Sequence, residues 1–190
     1  MKRSKAETAE TRHRIVETAA REFRRNGIHA TGLADVMAAA GLTHGGFYRH
    51  FQSKDQLVAE ACAAGMNSIV ARAEAAACQS DSNGGLEAII ESYLAVNHRD
   101  DRAGGCPLTS LGSELARADN ETRATVSEGI VRFVEALATR ARRRKPELAK
   151  SDALFVLSAL VGAVTLSRIT TDTGLSDAIL SETKRHLARP

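Results

Sequence analysis

Between Asn26 and Ser53 the chain ends one helix, completes two short ones and opens a fourth. This punctuation limits the possible folds more than any other feature of its 190 residues. Ile15, Val16, Ala19, Ala20 and Phe23 recur at the spacing of one helix face, predicting a first helix over about 10–25. Asn26-Gly27 closes it, with glycine supplying the left-handed conformation after the last turn. Thr31 is placed to cap a second helix over 33–40, Gly41 ends that one, and Thr43 is placed to cap a third over 44–51. Ser53-x-x-Gln56 then reads as a capping box opening a long fourth helix to about residue 77.

Two short helices joined by Gly41-Leu42-Thr43 have the size and punctuation of a helix-turn-helix, whose second helix lies in the DNA major groove. The rest of the chain also reads as helical. Alanine is abundant, prolines number three, and long stretches lack β-branched alternation. Apolar spacing predicts helices over 86–98, 107–117, 121–144 (ended by Pro146), 152–170 and 176–187, with a linker at 80–85 and a loop at 99–105. The expected fold class is therefore all-α. It has an N-terminal three-helix head with a helix-turn-helix over 8–56, and a larger helical domain over 57–190.

Composition excludes several classes. The longest charge-free apolar run, Ala153–Ser167, is too short to span a bilayer and reads as a buried helix. The basic N-terminus has no apolar stretch and does not read as a signal peptide. Three cysteines without CxxC spacing point to a reduced, cytoplasmic protein with no zinc site and no disulfide framework. The six histidines are scattered, and no nucleophile, paired-carboxylate or phosphate-loop spacing is present, so no enzyme and no cofactor is expected.

Charge is unevenly placed. Residues 1–56 hold ten Lys/Arg against six Asp/Glu, a net of +4, whereas the remainder holds sixteen against seventeen. One segment thus carries all the excess positive charge, as expected of a surface facing a polyanion. Within it lies GGFYRHFQSKDQL, residues 45–57. Phe47 and Phe51, four apart, would pack the third helix inward and leave His44, Gly45, Tyr48 and Arg49 outward. A glycine at a helix end lets the backbone approach DNA closely. Thr43 at the helix start and the Tyr48 hydroxyl can meet phosphates, Lys54 offers a point charge, and His44 and Arg49 can reach base edges.

These residues resemble the signature of TetR-type transcriptional regulators. Thr43, Gly45, Tyr48, His50-Phe51 and Lys54 stand at the signature's spacings, with Phe23, Gly27, Thr31 and Val36–Leu42 upstream. The resemblance implies a homodimer whose heads bind double-stranded operator DNA, whose larger domain binds a small-molecule effector, and whose last two long helices pair across the two-fold axis. It assigns phosphate contacts to Thr31, Thr43, Tyr48 and Lys54, and the groove to His44, Gly45 and Arg49. Met37 departs from the pattern, which has a small residue where the second and third helices cross. The implied mechanism is differential affinity: the effector favours a conformation whose heads no longer match the duplex, with the helix opened at Ser53 as lever.

Other features leave alternatives open. Lys2–Lys5 reads as a DNA-contacting arm or a solvated terminus, and Arg140–Lys145 as a solvated helix end before a second DNA site. The run 154–166, with small residues Ser158, Ala159, Gly162 and Ala163, suits a dimer interface more than a ligand cavity. Cys106, between Gly104-Gly105 and Pro107, reads as a helix cap or as a redox or electrophile sensor. Cys62 and Cys78 read as small apolar core residues. The rival to a DNA-binding regulator is a helical carrier of small molecules, against which the basic first third and the Tyr48–Lys54 cluster argue.

Overall fold

A computed structural model describes residues 5–79, 85–140 and 146–188. The linker at 80–84, the basic run 141–145 and Lys2–Ser4 of the N-terminal arm lie outside the described residues. The helices are α1 (Lys5–Asn26), α2 (Leu33–Ala39), a 3₁₀ helix (His44–Arg49), α3 (Lys54–Cys78), α4 (Gly85–Tyr93), α5 (Val96–Asp100), α6 (Pro107–Leu115), α7 (Asn120–Arg140), α8 (Pro146–Ile169) and α9 (Thr173–Leu187). No strand occurs among the described residues, and the chain is all-α with a helix-turn-helix head on a helical body.

The head is held by its helix ends. Gly27 takes φ +90° and its N–H returns to Phe23 O at 2.7 Å, a single left-handed cap. Gly41 takes φ +71°; its N–H reaches Ala38 O and that of Leu42 reaches Met37 O, a Schellman closure. Gly32, not Thr31, occupies the cap position of α2, and the Asp35 carboxylate accepts its N–H at 3.0 Å. Thr31 is buried and its hydroxyl donates to Gly27 O at 2.7 Å. The box at Ser53 is shifted by one residue. Ser53 Oγ accepts the Gln56 N–H, but the Gln56 side chain accepts the N–H of Gln52 instead of Ser53.

Two apolar clusters organise the molecule. Phe23, Val36, Met37, Phe47 and Phe51 close the head, and Leu57, Val58, Cys62, Leu111 and Leu115 extend that core into α3 and α6. The second cluster joins Met66, Ile90, Leu94, Phe133, Leu137, Leu160 and Val164 across α3, α4, α7 and α8. Helix α3 contributes to both, so it ties head to body.

Several boundaries differ from the periodicity. The helix expected over 86–98 breaks after Tyr93, which turns His98 back so that its Nδ1 meets Tyr93 O at 2.5 Å. The end expected at 144 for the helix before Pro146 lies outside the described residues. Pro146 opens α8, ahead of the start expected at 152, and a proline at a first helical position forfeits no intrahelical bond. Ala149–Ile169 is consequently long and apolar enough to cross a membrane by length and composition, with mean hydropathy 1.7. Yet Ala153, Val156, Leu157, Leu160 and Val164 are buried in the body core, as in the core helix of a folded domain. Its other face leaves Leu154, Phe155, Leu166 and Ile169 exposed, joined by Leu175 of α9.

Candidate nucleic-acid interface

The segment expected to be an α-helix over 44–51 is a 3₁₀ helix over His44–Arg49, with i to i+3 bonds from Gly46 N–H to Thr43 O and from His50 N–H to Phe47 O. Two adjacent glycines weaken α-helix formation by about 1 kcal/mol each relative to alanine, which favours this tighter, shorter turn. Phe47 and Phe51 hold it down. Both are buried, and their rings stack with centroids 5.4 Å apart. The Arg12 guanidinium sits 4.6 Å from the Phe51 ring centroid and pairs with Glu60 of α3 at 2.5 Å, bracing α1 against the end of the turn.

Anchoring one face presents the other. Thr43, His44, Gly45, Tyr48 and Arg49 are exposed together on one side of the head, Tyr48 at 68%. The Tyr48 ring stands edge-on to Phe47, centroids 5.1 Å apart at 85°, which fixes the direction of its hydroxyl. The Thr43 side chain makes no cap hydrogen bond. Gly45 has no left-handed φ, and a Cβ built there meets nothing within 4 Å. The fold itself therefore places no demand for glycine at position 45. Gly46 differs: its hypothetical Cβ would touch Met37 Cε at 3.6 Å. Met37, the departure from the pattern, is fully buried and packs under this second glycine.

Two expected phosphate contacts are engaged elsewhere. Lys54 Nζ donates to Ile28 O and Thr31 O, both at 2.7 Å, and lies 6.0 Å from the Phe23 ring centroid. It closes the α1–α2 loop, leaving one of its three N–H groups uncommitted by those bonds. Thr31 is 2% exposed with its hydroxyl turned inward. Sequence spacing could not show the Lys54 bonds, whose partners lie 26 and 23 residues away in the chain.

Cys106 occupies the cap position of α6 with Pro107 following, as expected, but caps through its backbone. Its N–H donates to His98 Nε2 at 3.1 Å, and its carbonyl accepts from Thr109 N–H and Oγ1. The side chain is fully enclosed, and burial holds the thiol above its ordinary value. A sensor needs a thiolate that reagents can reach; with the side chain enclosed and the backbone capping α6, the packing accords with the helix-cap alternative. Burial likewise pushes the Cys62 thiol up to about 12. Cys78, expected in the core, is exposed instead, with Arg140 Nη2 at 3.8 Å from its sulfur.

A polar residue that sequence reasoning passed over is Arg24. It follows Val16 and Ala20 along a four-residue row of α1, and that row alone marked it for the buried side. It is 8% exposed, and its Nε donates to Ala103 O of the body at 2.6 Å.

An outward face of hydroxyl, imidazole, guanidinium and bare glycine on a helix-turn-helix head defines a DNA-binding transcriptional regulator. Comparison with known proteins gives its family. The family model described as bacterial regulatory proteins, tetR family, matches residues 15–61, and that of the transcriptional regulator LmrA/YxaF-like C-terminal domain matches residues 82–179. The chain belongs to the TetR family. It is 44% identical over 59 residues to the probable acrEF/envCD operon repressor of Escherichia coli (strain K12), a match covering 31% of this chain and 27% of that protein's length. An HTH-type transcriptional regulator of Mycobacterium tuberculosis is 29% identical over 172 residues, 85% of this chain and 86% of that one. A TetR transcriptional regulator from Chloroflexus aurantiacus J-10-FL superimposes with TM-score 0.80 at 27% identity, over 96% of this chain and 94% of that one.

Proposed function

We propose that this regulator is a repressor that binds a two-fold-symmetric operator as a homodimer and releases it when a small molecule enters its body. The observation that carries the reading is the outward cluster around Gly45, a glycine required by nothing inside the chain. In this reading the Thr43 and Tyr48 hydroxyls meet phosphates, and His44 and Arg49 reach base edges where the bare Gly45 backbone lets the groove come close. Thr31 and Lys54 hold the α1–α2 loop, with the remaining Lys54 N–H directed at a phosphate. Residues 8–56 serve as the DNA-binding domain and 57–190 as the effector and dimer domain. The exposed apolar face of α8, with Leu175 of α9, supports pairing of two copies, since a contiguous apolar patch of this kind marks an association surface.

The body also supports an effector site. A cavity of about 40 Å³ is lined by Ile69, Arg72, Ala73, Ile89, Ser92, Tyr93 and His98. Within the same wall the Tyr93 hydroxyl is buried beside the Cys106 thiol. The cavity holds only a few waters, so an effector has to widen it, and widening is the conformational difference that release requires.

The test is anisotropy with duplexes drawn from the DNA flanking the protein's own coding region, at several salt concentrations. One palindromic duplex should bind far more tightly than unrelated DNA, and affinity should fall steeply with salt. Tyr48→Phe should weaken all duplexes alike, whereas Arg49→Ala should erode the preference between them. Salt-independent binding, or no preferred duplex, would overturn the reading.

A further inference from the structure

Residues 98–106, the last turn of α5 and the loop that leads to α6 (together called loop 98–106), are held by three arginines from three helices. Arg24 of α1 donates to Ala103 O at 2.6 Å, and Arg72 of α3 to Gly104 O at 2.5 Å. Arg168 of α8 donates to Arg99 O at 2.8 Å and to His98 O at 3.0 Å. The glycines of the loop follow from this. A Cβ at Gly105 would lie 2.7 Å from Arg168 Nη2, and one at Gly104 would strike the Asp101 carboxylate.

Of the three, Arg24 alone comes from the head. To reach Ala103 it crosses α3 at Gly65, where a Cβ would collide with Arg24 Nη1 and Pro107 Cγ. A glycine inside a helix costs about 1 kcal/mol relative to alanine, and here its use is this close passage. A second tie runs beside the first: Glu114 of α6 accepts the His29 N–H of the head at 2.9 Å. Because α6 starts directly after the loop, a displacement of residues 98–106 reaches the head through both.

We propose that Arg24 is a positioning residue that couples loop 98–106 to the DNA-binding head, so that a displacement of the loop re-aims α1. On the body side the loop carries His98, which lines the small cavity, and it is clamped by Arg168 from the helix with the exposed apolar face. The inference rests on the operator-binding reading. Coupling is reciprocal, so DNA bound at the head has to alter the loop even when no effector is present.

The experiment is amide hydrogen exchange on the full chain, alone and with a duplex that the wild type has selected from a random-sequence library. The reporters are Gly104 N–H, bonded to Asp101 Oδ1 at 2.8 Å, and Cys106 N–H, bonded to His98 Nε2. In the wild type the duplex should protect residues 43–54 directly and change exchange at 104 and 106 by about 5-fold or more, the lower end of ordinary coupling. In Arg24→Met the protection of 43–54 should persist while the change at 104 and 106 shrinks, since only the Glu114 tie remains. Gly65→Ala, which displaces the guanidinium but keeps it, should behave the same way and serves if Arg24→Met does not fold by circular dichroism. An undiminished response at the loop in both variants overturns the proposal, as does an unresponsive loop in a wild type whose head is protected. If no duplex protects residues 43–54, the operator-binding reading itself falls, and the coupling with it.

Discussion

At Gly45 folding and function separate. The residue is exposed, its φ is not in the left-handed region, and its Cβ position is empty. Gly45→Ala should therefore leave the melting temperature unchanged or raise it, by up to about 1 kcal/mol of stability. Operator affinity should nevertheless drop by about tenfold, because a methyl group then stands between backbone and groove. Lys54 presents the opposite case. Its two bonds to Ile28 O and Thr31 O make it part of the head's scaffold. Lys54→Met should lower stability by about 1.5–3 kcal/mol, the range for hydrogen bonds from a charged group, measurable by thermal or urea melts. An unchanged melt with weakened DNA binding would return Lys54 to a purely external role. The outward residues were legible in the sequence because exposure on a short helix follows from spacing. The partners of Lys54 and Arg24 were not, because they lie 23 to 79 residues away in the chain.

Elements were legible where composition and packing agree. The glycine stops at 27 and 41 and the cap at Ser53 appear where spacing puts them, since each is decided within a single helix turn. The break between α4 and α5 carries no glycine or proline and is set by the long-range fit of His98 into the body, so periodicity alone ran through it. Helix α8 combines both situations. Its buried face was expected; the size of its exposed apolar face, with Phe155 at 69% and Ile169 at 71%, emerged only with the packing. A Cβ at Gly162 on this helix meets nothing within 4 Å, so a larger side chain fits the isolated subunit. Gly162→Glu should thus give a folded monomer by sedimentation, with helicity intact and operator binding reduced by orders of magnitude, since one head supplies half the contacts. A dimer with full affinity would show that α8 is not the pairing surface.

For the whole molecule, residues 98–106 lie between the body core and the head, and His98 is the titratable group that ties them together through both its ring nitrogens. Both ring nitrogens are committed. Nδ1 faces the Tyr93 carbonyl and so carries the proton, while Nε2 accepts the Cys106 N–H. Protonating Nε2 would set two donors against each other in a buried site. Burial, the largest influence, holds the imidazole below its ordinary value; Arg72 and Arg168 push the same way, against the Tyr93 carbonyl and Asp101. A histidine with a folded value below its unfolded value of about 6.5 binds fewer protons folded than unfolded in the acid range. Its contribution to stability is therefore full above about pH 6.5 and is lost as pH falls through the folded value. The melting temperature of the wild type should fall as pH drops from about 7 to 5, and the exchange of Cys106 N–H should accelerate over the same window. His98→Gln should be less stable at neutral pH, with one ring nitrogen's geometry lost, but should show a flatter pH dependence of melting between those limits. Parallel pH curves for the two proteins would mean that acid acts on a group other than His98.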